Sequence, residues 1–159
     1  MSTTIRPVTK QDEAAWRRHW QSYNDFYKRT ISETVTATTF SRFLDPSTQI
    51  FCAVAEAPSS SDIKSDPEII GFVTWFPHPS TSRVGPVVYL NDLFVDPSIR
   101  SKGVGGQLMD HVFAHGKQEL GAESVYWLTQ HFNHRAQLLY VKKGFKSDFV
   151  HYTKSLADV

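Results

Sequence analysis

The sequence predicts an α/β protein: a mixed, twisted sheet of about six to seven strands with about four helices on its two faces. Three observations lead there. Runs of extended-type apolar patterning and runs of helical spacing follow one another in the order β-α-α-β-β-β-α-β-α-β, with enough extended sequence at the end for one further strand. The early strand-like runs are joined by loops, as in an antiparallel meander. The runs near residues 90 and 126 are joined through a helix, which forces them to pair in parallel. A chain of 159 residues suits one hydrophobic core, so residues 1–159 are expected to form a single domain.

Taken in order, residues 4–9 alternate as a short strand. Thr9 then reads as a helix N-cap with Asp12 as its capping-box partner. Trp16, Trp20, Tyr23 and Tyr27 follow at four-and-three spacing, the stripe of a helix that faces a core. A second helix is expected over 36–44, before Asp45-Pro46. Residues 49–57 and 69–76, rich in Ile, Val, Phe and Trp, read as strands across a polar loop that runs from Pro58 to Pro67. The Pro- and Ser-rich stretch Pro77–Pro86 leads into a strand over Val87–Val95. A helix from Gly103 to Leu120 stops at Gly121, and Ser124–Thr129 reads as a buried strand. Asn133–Lys143 is a helix ended by Gly144, and Phe145–Lys154 supplies the final one or two strands.

Bulk properties exclude several classes. A net charge of +1 lacks the basic excess that a broad nucleic-acid surface needs. No apolar run approaches the ~20 residues of a transmembrane helix, and the N-terminal residues lack a hydrophobic signal core. Cys52 is the sole cysteine, set in the apolar run Ile50–Val54, so it reads as a buried, inert thiol in a reducing compartment. The expected location is the cytoplasm, the nucleus or both.

The run Val95-Asp96-Pro97-Ser98-Ile99-Arg100-Ser101-Lys102-Gly103-Val104-Gly105-Gly106 ends a strand, turns, and opens a helix on glycines. Such a helix start leaves backbone N–H groups unpaired and pointing one way, a seat for phosphate oxygens. The glycines let a diphosphate approach the backbone, and Arg100 and Lys102 can add charge-assisted bonds. A plain tight turn before a helix gives the same pattern. A nucleotide-hydrolase phosphate loop is excluded, because Gln107 and Leu108 stand where Lys-Ser/Thr is needed. The glycine spacing and position also fail the dinucleotide fingerprint. In Asn133–Phe145, Ala136 and Tyr140 are four apart and share a helix face. A small residue there permits close approach of a ligand. Asn133 can orient a ligand through its amide or simply cap the helix, and Tyr140 can be a core tyrosine.

Together, Arg-x-x-Gly-x-Gly at Arg100–Gly105 and Asn-x-x-Ala-x-x-x-Tyr-x-Lys-x-Gly-Phe at Asn133–Phe145 resemble the GNAT acetyltransferase superfamily over nearly the whole chain. Tyr89–Asp96 with Asn133–Lys142 most resembles its fungal histone and polyamine acetyltransferases. The resemblance implies a substrate, acetyl-CoA, whose pantetheine arm lies between the strands 89–95 and 124–129 like an extra strand. The backbone of Leu93, Phe94 and Val95 would pair with that arm. The backbone of Arg100, Ser101, Lys102, Gly103, Val104, Gly105 and Gly106 would hold the diphosphate. Asn133 and Tyr140 would approach the arm and its sulfur. It implies no metal, and a homodimer through the terminal strands.

The chemistry then assigns roles. A Lys-like amine, with pKa about 10.4, must lose a proton before it attacks a thioester. The departing thiolate needs a proton, which the phenol of Tyr140 can give as general acid. Asp92 is the candidate general base, with substrate binding or a structural ion pair as the alternatives. Asn91 occupies a position where polyamine-type relatives bear a carboxylate, which weakens a polyamine assignment. The acceptor is a primary amine: a histone lysine, a polyamine or a small amino acid. Asp25, Glu33 and Asp92 can form an acidic rim, although solvated charge is the plainer reading of the first two. His111 and His115, four apart, read as an exposed helix face rather than a metal pair. A non-catalytic acetyl-CoA sensor is the alternative to an enzyme.

Overall fold

The computed structural model describes residues 3–58, 67–99 and 103–157. The chain divides into two compact units, Met1–Leu128 and Thr129–Val159. In the first, the elements run β1 (Thr4–Pro7), a short 3-10 turn (Lys10–Asp12), α1 (Glu13–Phe26), α2 (Glu33–Leu44), β2 (Phe51–Ala57), β3 (Glu68–His78), β4 (Val87–Val95), α3 (Val104–Gln118) and β5 (Ser124–Trp127). The second contains α4 (His134–Lys143).

The strands form one sheet in the order β1-β2-β3-β4-β5, antiparallel until the last pair and parallel between β4 and β5. One face packs under α1 and α2. There Trp16 is fully buried, stacks on Trp20 at 5.3 Å between ring centroids, and meets Phe40 at 5.2 Å and Phe72 at 6.1 Å. The α1 stripe is therefore core, and Cys52 lies in the same cluster with its thiol pushed up by burial. The opposite face packs under α3, which buries Val104, Leu108, Met109 and Val112. Gly116 of α3 lies so close to β4 and β5 that an added Cβ would stand 3.5 Å from Val88 Cγ2 and 3.7 Å from Val125 Cγ2.

Capping fixes the entry to α1. The backbone N–H and the hydroxyl of Thr9 both donate to Asp12 Oδ2, at 2.7 and 2.8 Å. Arg6 on β1 reaches both oxygens of Asp12, at 2.7 and 2.8 Å, and also bonds Glu56 on β2. The buried Asp12 carboxyl is thereby held down to about 2.

Three expectations need correction. The described part of Phe145–Lys154 contains no strand, so the sheet has five strands among the described residues. An extended segment needs a ladder partner, and the second unit offers no strand of its own among its described residues. Phe145, Phe149 and Tyr152 stand 91, 94 and 87% exposed there. Second, β3 runs through Pro77 to His78, which pair with Val88 and Val87 at the ladder's end. Third, β5 is only partly buried, with Tyr126 exposed, because it is an edge strand.

Candidate active site

The geometry of β4 organises the site. Its ladder with β3 covers the whole strand, but its parallel ladder with β5 covers only Val87–Leu90 against Ser124–Trp127. Past Leu90 no residue of β5 opposes β4, because β5 ends at Trp127. The register against β3 slips at the same place: Trp75 opposes Leu90 and Thr74 opposes Asp92, so Asn91 is an extra residue, a β-bulge. The backbone N–H of Asp96 bonds Ile70 O at 2.9 Å, so alternation along the antiparallel pair turns the main-chain groups of Leu93 and Val95 away from β3. Phe94 turns its side chain into the α1 face, 6.0 Å from Phe72.

Beyond β4 the chain enters α3. Arg100, Ser101 and Lys102 lie outside the described residues. Gly103 is the N-cap, with φ 80° and ψ 0°, the left-handed conformation that glycine takes at least cost, and an added Cβ would meet nothing within 4 Å. The first helical bond comes from Gln107 N–H to Gly103 O at 3.1 Å. The N–H groups of Val104, Gly105 and Gly106 thus precede the helical ladder, and two of the three carry no side chain. Val104 and Gly106 are buried, which pins this turn to the sheet. A strand end that leads into a glycine-lined helix start suits an anionic group.

Asp92 is buried on the α1 face of β4. Thr74 holds it twice: its hydroxyl donates to Asp92 Oδ2 at 2.5 Å and accepts from the Asp92 N–H at 3.1 Å. The Asn91 amide donates to the same Oδ2 at 2.9 Å, so Oδ1 lies outside these bonds. Over the carboxylate lies Tyr23, whose hydroxyl is pushed well above its ordinary range, first by burial and then by the charge of Asp92. Tyr89 is raised by the same two causes in the same order. Its ring stacks on Tyr126 at 5.0 Å, and the Tyr126 hydroxyl reaches His78 Nε2 at 3.1 Å. Asp92 is thus a rigid carboxylate under an aromatic wall.

At the end of α1, Lys28 takes φ 53°, a left-handed turn that folds Arg29 back. Its guanidinium carbon lies 5.4 Å from the centroid of Tyr23 and 5.2 Å from that of Tyr27. Sequence reasoning missed Arg29, Tyr23 and Thr74 as site residues. The α1 stripe flagged Tyr23 only as core, and nothing in the local sequence announces a left-handed lysine. Asp25 and Glu33 stand apart from Asp92: Asp25 accepts from Gln21, and Glu33 pairs with Arg17. His111 and His115 correct another expectation. They are half-buried against Trp75, and the Trp75 indole donates to His115 Nδ1 at 3.2 Å. Burial lowers the pKa of both.

In the second unit, Asn133 caps α4: its Oδ1 accepts from Ala136 N–H at 3.4 Å and its amide donates to Thr129 Oγ1 at 3.3 Å. Asn133, Ala136 and Tyr140 are all half-buried and recur at helical spacing, so they share a face of α4.

Known proteins carry the same architecture. Residues 13–145 match the acetyltransferase (GNAT) family. The D-amino-acid N-acetyltransferase HPA3 of Saccharomyces cerevisiae is 39% identical over 151 residues, spanning 95% of this chain and 89% of that protein. An uncharacterized N-acetyltransferase, YhfO, of Bacillus subtilis is 32% identical over 150 residues, spanning 93 and 94%. Among solved structures, the aminoglycoside N-acetyltransferase AAC(6')-Iy in complex with CoA superposes with a TM-score of 0.75 at 21% identity, covering 98% of this chain and 96% of that one. On the length of the family match and the identity of these relatives, the chain belongs to the acetyltransferase (GNAT) family and is an N-acetyltransferase.

Proposed function

We propose that the protein transfers the acetyl group of acetyl-CoA to the primary amine of a small amino acid. The observation that carries this reading is β4 itself. Its ladder with β5 ends at Leu90, the main-chain groups of Leu93 and Val95 face away from β3, and the strand leads to the glycine-lined start of α3, while its α1 face carries Asp92. Leu93, Phe94 and Val95 would hold the thiol arm, and Gly103–Gly106 with Arg100, Ser101 and Lys102 would hold the diphosphate. Acetyl-CoA, when bound, supplies a thioester whose C–S bond breaks as the amine nitrogen bonds to the carbonyl carbon. Asp92 accepts a proton from the incoming ammonium, directly or through water, so that the nitrogen presents its lone pair. Tyr140 Oη gives a proton to the departing sulfur and regains one from solvent. Asn133 and Ala136 shape the arm's surroundings.

The amino-acid acceptor is favoured over the other candidates by three features. HPA3 is named for D-amino acids. The net charge of +1 offers a polycation no broad acidic surface. Asn91 is uncharged where a second carboxylate would serve a polyamine. Histone tails and polyamines are the competing acceptors. The exposed Phe145, Phe149, Val150 and Tyr152 support a homodimer through the terminal segment.

The test is CoA release from acetyl-CoA with a panel of both enantiomers of several amino acids, spermine, thialysine and a histone-tail peptide. Amino acids should give the highest kcat/KM. Tyr140→Phe should lower kcat about 100-fold or more with little change in acetyl-CoA binding. Binding of acetyl-CoA with no amine-stimulated release would leave only a sensor.

A further inference from the structure

Two charges of opposite sign flank the aromatic wall. Asp92 lies beneath it, buried and fixed through Thr74 and Asn91. Arg29 lies over the rings of Tyr23 and Tyr27. Both charges act on the hydroxyls of the same two residues, Tyr23 and Tyr89, the carboxylate raising them and the guanidinium lowering them. Tyr23 thus joins the two groups, the carboxylate at its hydroxyl and the guanidinium over its ring.

Arg29 is set in place by the way α1 ends. Among the described residues it has no carboxylate partner, whereas Arg6 and Arg17 each have two and Arg83 has one. Its position depends on Lys28, a residue with a Cβ in the left-handed region, where such residues are uncommon. Two main-chain bonds hold that turn: Lys28 N–H to Asp25 O and Arg29 N–H to Asn24 O, both 3.0 Å. Asn24 is itself buried and bonded to Trp20 O at 2.8 Å, so the turn is anchored in the core helix. That pair of bonds is the Schellman ending of α1, and it sets Arg29 immediately past the left-handed turn. A guanidinium stacked on aromatic rings keeps its N–H fork in its own plane, ready for a bidentate bond to a carboxylate.

We propose that Arg29, laid on Tyr23 and Tyr27, binds the α-carboxylate of the acceptor while Asp92 receives its ammonium group, so that the enzyme selects zwitterionic α-amino acids over amines that lack the carboxylate. This rests on the amino-acid acceptor read above and names the residue that enforces it. The carboxylate end contributes binding energy that simple amines cannot, and it fixes where the nitrogen sits relative to Asp92.

The experiment measures kcat/KM for phenylalanine, in both enantiomers, and for phenylalaninamide and phenethylamine, in the wild type, Arg29→Gln and Arg29→Lys. The wild type should favour the better phenylalanine enantiomer over its amide by at least tenfold. In Arg29→Gln that ratio should fall by about tenfold or more, mainly through KM for the acid, and Arg29→Lys should recover part of it, because lysine keeps the charge and loses the fork. A within-enzyme ratio is insensitive to partial misfolding. Use of phenylalanine with an unchanged acid-to-amide ratio in Arg29→Gln overturns the Arg29 assignment and leaves the amino-acid acceptor standing. A wild type that acetylates the amines but none of the amino acids overturns both.

Discussion

Asp12 shows how one carboxylate can secure a joint between elements. It caps the first helix and accepts Arg6 from β1, and Arg6 in turn reaches Glu56 on β2. Its carboxyl falls from an ordinary 3.8 to about 2 in the fold, with the Arg6 hydrogen bonds as the largest cause. A depressed folded pKa contributes stability that is present above pH 3.8 and lost as the pH falls toward 2. Asp12→Ala should therefore cost about 2 kcal/mol near neutrality and progressively less below pH 4, as read by urea denaturation across pH. Asp92 is also buried, and among the described residues it accepts hydrogen bonds from Thr74 and Asn91, neither of them a cation, whereas Asp12 pairs with Arg6. That is why we place chemistry at Asp92 and architecture at Asp12. Sequence spacing exposed both carboxylates, the first through its capping box and the second through the resemblance. It exposed neither Thr74 nor Tyr23 as partners of Asp92, because they meet it only through strand register and helix packing.

Among the elements, β3 and β4 set the tolerances. At Gly71 an added Cβ would stand 2.5 Å from the Phe94 carbonyl oxygen, a main-chain atom that cannot swing aside. Gly71→Ala should cost about 2 kcal/mol and raise KM for acetyl-CoA, since Phe94 lies on the strand proposed to carry the thiol arm. Calorimetry and initial rates check the two effects. On the other face, α3 brings His111 and His115 against Trp75. Their folded pKa lies below the ordinary 6.5, so the neutral rings are favoured in the fold. Stability is present above pH 6.5 and falls as the pH drops through that value toward the folded pKa. Replacing both with Gln should flatten the melting temperature between pH 7 and 5. The elements legible in sequence were those whose signals are local: the capping box of α1, the apolar stretches of β2–β4, and the glycine and asparagine ends of α3 and α4. The misread ones depend on partners. Phe145–Lys154 carries strand-type residues but finds no strand in its own unit among the described residues, and the histidines took their burial from an aromatic strand residue forty positions away in the case of Trp75 and His115.

At the scale of the whole molecule, the proposed dimer makes the terminal segment its test. Light scattering at micromolar concentration should give twice the mass of the chain, and Phe145→Ser with Phe149→Ser should shift the protein to monomer. A wild-type monomer would reject the dimer. Strands 4 and 5 are paired up to Leu90, and the one surplus residue, Asn91, comes next. Bulges bend strands and end ladders. Excising Asn91 would leave Leu90 and Asp92 against their present partners on β3 yet straighten the strand, so that Leu93–Val95 would no longer follow the line that leads to the start of α3. On this view catalysis in the molecule hangs on a length difference of a single amino acid between adjacent strands.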